Sequence, residues 1–324
     1  MINDYIIALK KEIQSYSFNE LKTVYFGGGT PSYIDANYIQ EILGLLKHKN
    51  AEVTLEANPG TITKEKLESY ITSGVNRLSI GLQATQNEIL KDIGRIHTLE
   101  DFDNTYKLAR DVGFTNISVD LMFGLPNQTL EDVKESLNYI LKINPEHISC
   151  YSLILHKDTK KELPTDDEER EMYHYILKTL KNAGYVHYEI SNFAKKGFES
   201  KHNLVYWNQE EYAGVGAGAS SYVDSVRYTN ERNIERYILE NKREIEERQD
   251  IEAKLREYII LKLRLINGLN ISEANKKFNV DIEKIFEKEI QKMCSYGLLE
   301  IMDGNIKLTE KGLDLANVVW EEFV

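Results

Sequence analysis

The sequence predicts an α/β fold in two parts: a partial parallel (β/α) barrel, then a winged-helix-like C-terminal α+β domain. Three observations predict it. Short β-branched and aromatic runs alternate with amphipathic helical stretches through the first part of the chain. The alternation runs to about six repeats without a dinucleotide-type glycine fingerprint. From about residue 251 the pattern changes to helices followed by a short hairpin. A doubly wound open sheet is the competing arrangement for the first part.

The elements follow in order. "DYIIALKKEIQSY" reads as an amphipathic helix with Ile6, Leu9 and Ile13 along one side. Strand-like runs come at 23–26, 53–57, 77–83, 116–124, 147–154 and 186–194. Helical patterns fill 37–48, 63–73, 86–93, 100–112, 129–142 and 166–183. The segments "TKEKLESYI" and "TLEDVKESL" each open on Thr and are read as capping boxes. Beyond 251 a long helix ends at a glycine, two more follow, and "LLEIMDGNIKLTEKG" reads as a hairpin with "DGN" at its tip. These boundaries predict a barrel domain over 1–228, a linker over 229–250 and a winged-helix-like domain over 251–324.

Composition narrows the function classes. The 324 residues carry a formal net charge of −12, so a diffuse negative field opposes nucleic acid and anionic lipid as partners. The helix "DIEKIFEKEIQKM", where a winged helix would read DNA, mixes Glu and Lys without a basic stripe. No run has transmembrane length and no signal peptide is visible, which predicts a cytoplasmic protein. The two cysteines, Cys150 and Cys294, share no metal-binding spacing and cannot supply the usual ligands of an iron–sulfur cluster.

In a parallel barrel, chemistry gathers at the C-terminal ends of the strands. Gly27, Gly28, Gly29 and Thr30 follow the first run, Glu56 ends the second, and Gln83 ends the third with Arg95 beyond it. Asp120 ends the fourth, and Ser152 and Ile154 the fifth. Glycines let backbone N–H and C=O groups approach a ligand, and Pro31 helps start a helix. Alone, "GGG" equally suits a tight strand–helix turn, Glu56 a turn partner and Asp120 a buried turn former. Their joint position at corresponding strand ends favours a binding site.

Eight stretches in order, "FGGGTPS", "LEANPGT", "RLSIGLQ", "GRIHT", "ISVDLMFGLPNQT", "YEISNFA", "HNLVYW" and "GVGAGASSY", give the whole chain a family resemblance. It resembles the oxygen-independent coproporphyrinogen III oxidase-like branch of the radical S-adenosylmethionine enzymes, and within it the heme chaperones. The resemblance implies that Gly28, Gly29 and Thr30 contact the methionine part of S-adenosylmethionine. It implies that Glu56, Gln83, Arg95 and Asp120 hold the amino-acid and ribose parts, and that Ile154 lines the adenine, with Ser220 where that pocket closes. It assigns His202 to heme iron, with Asn203, Tyr206 and Trp207 shaping the heme pocket. Two departures accompany it. "GAGASSY" has Ser220 where the heme chaperone pattern has His. The family's CxxxCxxC, which binds a 4Fe–4S cluster, is absent from this chain. The family's glycine turn follows its second barrel strand, so the expected barrel lacks its first strand and radical chemistry is not expected of the chain as it stands. Self-pairing into a homodimer through the open edge at 23–26 is a further expectation. The resemblance implies a heme chaperone that passes heme to an acceptor, which could be membrane-associated, with coproporphyrinogen III oxidase as the alternative.

Overall fold

The computed structural model describes residues 1–153, 163–240 and 242–324. They form two compact units, Phe18–His202 and a second made of Met1–Ser17 with Asn203–Val324.

In the first unit seven strands form one curled sheet, ordered β1-β2-β3-β4-β5-β7-β6. They are β1 (Thr23–Phe26), β2 (Glu52–Ala57), β3 (Arg77–Gln83), β4 (Ile117–Phe123), β5 (His147–Ser152), β6 (Val186–Glu189) and β7 (Asn192–Ala194). The first five run parallel, each joined to the next through helix, the geometry a parallel crossover requires. The run 186–194 is not one strand. It folds back at residues 190 and 191 into the antiparallel pair β6 and β7, and β7 then pairs antiparallel with β5. Glu189 fixes that corner by accepting from Ser191 N and Asn192 Nδ2.

The strands alternate between two faces. Val53, Leu55, Leu78, Ile80, Ile117, Val119, Ile148 and Cys150 turn outward and pack under the helices in one core. The opposite set faces inward: Thr23 and Tyr25, then Glu52, Thr54 and Glu56, then Arg77 and Ser79, then Ser118 and Asp120, then His147, Ser149 and Tyr151. Strands of a parallel sheet buried on both faces usually read as continuous apolar runs. Here the inner face is polar.

Caps set the helices that position these strands. At Thr129 the box is completed by Asp132, whose carboxylate accepts from the Thr129 backbone N–H. Thr63 caps only the Lys66 N–H, because Lys66 stands where a box needs an acid.

The second unit contains the N-terminal helix Ile2–Ser15, the sheet β10-β9-β8 and a winged-helix region. Its strands are β8 (Ser220–Val223), β9 (Val226–Asn230) and β10 (Arg243–Arg248). The stretch 229–250, expected as a linker, carries the end of β9, the helix Ile234–Glu240 and β10, so it is structured. The winged-helix region has helices Ile251–Lys262, Ile271–Phe278 and Glu287–Ser295 around the small sheet of β11 (Leu269–Asn270), β12 (Leu299–Met302) and β13 (Asn305–Leu308). Asp303 and Gly304 turn the predicted hairpin with positive φ at both positions, as a two-residue hairpin loop demands.

Candidate active site

The C-terminal ends of β1 to β4 bring the predicted residues together within the first unit. Gly28 and Gly29 have φ of +78° and +60°, and a Cβ at either would meet nothing within 4 Å, so the turn is open on its outer side. Glu56 holds the turn: its carboxylate accepts from Gly28 N at 3.2 Å and from Tyr25 Oη at 2.8 Å. A side chain at Gly27 would strike the Tyr25 ring at 2.7 Å, so glycine there protects this contact. Thr30 Oγ1 accepts from Asn58 Nδ2 at 2.9 Å, and Asn58 Oδ1 accepts from Arg95 at 3.3 Å. Asn58 thus links the glycine turn to Arg95. The sequence offered it only as part of "LEANPGT", two residues past the strand-end acid.

Gln83 takes a left-handed φ of +69° at a bulge where β3 slips against β4. Its Oε1 accepts from Tyr151 Oη at 3.1 Å. A Cβ on Gly81 would lie 2.7 Å from Gln83 Nε2, so this glycine makes room for the amide. Asp120 accepts from Ser79 Oγ at 3.2 Å. Burial chiefly, and the Glu56 charge besides, raise the Asp120 pKa to about 6, although Ser79, Arg77 and Ser149 pull the other way. Ile154 lies outside the described residues. Ser220 belongs to the other unit, on β8, where its hydroxyl shares a 2.9 Å hydrogen bond with Thr229 Oγ1.

A second group gathers at the N-terminal ends of the same strands. His202 shares a 2.9 Å hydrogen bond between Nδ1 and Thr23 Oγ1, and its ring stacks on Tyr25 at 4.8 Å. Glu52 accepts from the backbone N–H of Lys201 and of His202, at 3.2 and 3.1 Å. Burial first, then the Arg77 charge, lowers the His202 pKa to about 4, so its imidazole is neutral at physiological pH. His147 lies between Ser118 Oγ and Tyr188 Oη, each at 2.8 Å, and burial pushes its pKa well below the usual histidine range. The sequence reading missed Arg77, Ser118, His147 and Tyr188. The available signal was polar residues alternating with apolar ones in strands that should be apolar on both faces.

Tyr206 and Trp207 lie on the helix Lys201–Trp207 and, with Asn203, in the second unit. They line an open cavity of about 260 Å³ with Tyr212, Tyr222, Arg227 and Glu257. Trp207 lies 4.3 Å under the Arg264 guanidinium, which also faces Trp320 at 5.1 Å.

The donor set at the top of the sheet suits S-adenosylmethionine: carboxylates for ribose hydroxyls, a guanidinium for a carboxylate, and an open glycine turn for close backbone approach. An iron–sulfur cluster finds no matching ligands. Cys150 is 1% exposed on the helix-facing side of β5, and burial pushes its thiol up, away from thiolate. Cys294 lies in the second unit, and no group of three or more His, Cys, Asp or Glu residues suited to a metal occurs among the described residues.

The first unit is thus a curled, mostly parallel half-barrel sheet with a glycine turn after β1 and Glu56, Gln83 and Asp120 at or near the ends of β2, β3 and β4. The Radical SAM superfamily model matches residues 5–140, and the HemN C-terminal domain model matches 250–315. In solved structures, the fold is similar to coproporphyrinogen III oxidase HemN from Escherichia coli, a radical SAM enzyme: TM-score 0.87 at 21% identity, covering 99% of this chain and 82% of that one. Whole-chain similarity is higher to proteins named heme chaperone HemW. It is 38% identical to that of Lactococcus lactis, covering 90% of the relative, and 34% to that of Bacillus subtilis, covering 92%. The protein of that name from Escherichia coli is 31% identical, with 88% covered. The chain belongs to the family of these heme chaperone HemW proteins.

Proposed function

We propose that this protein binds heme and passes it to an acceptor, with His202 as the iron ligand and Asn203, Tyr206 and Trp207 as further heme-site residues. Residues Gly28, Gly29, Thr30, Glu56, Gln83, Arg95 and Asp120 are proposed to bind S-adenosylmethionine, with Ile154 and Ser220 at its adenine. The observation that carries the heme reading is the state of His202. A neutral imidazole oriented by a hydrogen bond on Nδ1 and stacked on an aromatic ring supports reading His202 as an iron ligand. The family's cluster and S-adenosylmethionine, when bound, would supply radical chemistry; Cys150 and Cys294 do not match such a cluster's ligands. The proposed place of action is the cytoplasm, and the proposed oligomer is a homodimer.

Titration with heme tests the reading. The wild type should develop a saturable Soret band shifted from that of free heme. His202→Ala should weaken binding at least ~10-fold, and His202→Met should restore binding with a displaced Soret maximum. Equal spectra and affinities for all three proteins would remove His202 as the ligand. Decarboxylation of coproporphyrinogen III by the cluster-loaded protein would favour the oxidase reading instead.

A further inference from the structure

Arg77 opens β3 on the inner face and is 3% exposed. Strand register places Thr54 of β2 directly beside it and Tyr25 of β1 beside Thr54. Thr54 is 0% exposed. Neither Thr54 Oγ1 nor Arg77 Nε has a hydrogen-bond partner. Among the described residues the Arg77 guanidinium makes no ion pair and no hydrogen bond, yet its charge reaches Tyr25, Asp120, His147, Tyr188 and His202.

A buried guanidinium without a counter-ion is costly, and a protein interior rarely leaves one uncompensated. The acids of the inner face are committed elsewhere. Glu52 holds the backbone of Lys201 and His202, Glu56 holds Tyr25 and Gly28, and Asp120 holds Ser79. Buried Glu189 likewise holds Ser191 N and Asn192 Nδ2, so among the described residues no acid is left to pair with Arg77, which points to an anion supplied by a ligand. A planar guanidinium beside a hydroxyl matches a carboxylate. With Glu52, Glu56 and Asp120 on the same face, a monoanion suits the field better than a doubly charged phosphate.

We propose that Arg77, with Thr54 beside it, receives a carboxylate of the ligand that occupies the inner face of the sheet. The proposed function enters only in the identity of the molecule carrying that carboxylate, a porphyrin propionate, since Arg77 opens β3 at the end opposite the strand ends assigned to S-adenosylmethionine.

Thermal unfolding with sodium propionate against sodium chloride at equal ionic strength tests the site without heme. Propionate should raise the melting temperature of the wild type and leave Arg77→Met unmoved, while Arg77→Lys responds weakly. In chloride, Arg77→Met should melt at or above the wild type, because an apolar side chain replaces an unpaired buried charge. An Arg77→Met protein that responds to propionate as the wild type does, or one that is destabilised or fails to fold, would make Arg77 a structural residue and overturn the proposal. Heme, heme dimethyl ester and S-adenosylmethionine then identify the source. Preference for heme over its ester by at least ~10-fold, lost in Arg77→Met, assigns a propionate. Loss of S-adenosylmethionine affinity alone in Arg77→Met would overturn the propionate assignment. A wild type that binds no heme defeats the heme reading, and the propionate shift still decides Arg77.

Discussion

Residues on the inner face titrate in opposite senses, and each has a measurable consequence. Asp120 has its pKa raised to about 6, so the folded protein holds its proton more tightly than the unfolded chain does. Its charge opposes folding above pH about 6, and that penalty fades as pH falls toward the ordinary carboxylate value. Asp120→Asn should therefore raise stability by about 1–3 kcal/mol near pH 7 and by little near pH 4, read by urea unfolding. A loss of stability at neutral pH would show that the charge itself is needed in the fold. His202 runs the other way. Its pKa of about 4 keeps the ring neutral, so a heme complex ligated by it should hold its Soret band down to about pH 5 and lose it toward pH 4. Loss already near pH 6.5 would point to a more solvated histidine.

At the scale of elements, the N-terminal helix Ile2–Ser15 carries one acid on its buried side. Glu12 is 5% exposed and accepts from Tyr237 Oη at 2.7 Å, Asn230 Nδ2 at 2.8 Å, Gly216 N at 3.0 Å and Arg243 at 3.3 Å. One carboxylate thus ties the helix to β9, β10 and the turn before β8. Glu12→Ala would strand four donors at once and should cost about 3–5 kcal/mol, read as a lower unfolding midpoint. Glu12→Gln, which keeps the shape without the charge, should cost less. Equal midpoints for Glu12→Ala and wild type would mean that water replaces the carboxylate. The sequence signal was present: Glu12 falls beside Ile13 and three residues after Leu9, within the apolar stripe.

Across the whole molecule, pH sensitivity is placed unevenly. All seven histidines lie within Phe18–His202. Burial lowers the pKa of His97, His147, His187 and His202, so the unfolded chain binds protons before the folded unit does. Their neutral forms cost nothing above the ordinary histidine value near 6.5, and stability drains as pH falls from there toward about 4, with Asp120 offsetting part of the loss. Hydrogen exchange followed from pH 7 to about pH 5, corrected for intrinsic rates, should show protection falling first in β3 to β5. Earlier loss in the winged-helix region would contradict this distribution.

Much of the architecture was legible locally. Apolar runs of strand length separated by capped helices dictate a parallel sheet, and strand-end Glu56, Gln83 and Asp120 stood out because apolar residues would have served the strands better. "DGN" declared its hairpin through residues that tolerate positive φ. Residues 186–194 misled because strand composition does not show a reversal that Glu189 secures by bonding two residues just beyond the bend. Arg77, His147 and Glu12 were invisible as a set for a related reason. A polar residue's alternation can be read along one strand, but its partners come from other strands or from residues two hundred positions away. Sequence determined the periodicity and therefore the elements. Only tertiary structure decided which buried charges found partners, because partnership depends on register and curl, which no single segment carries.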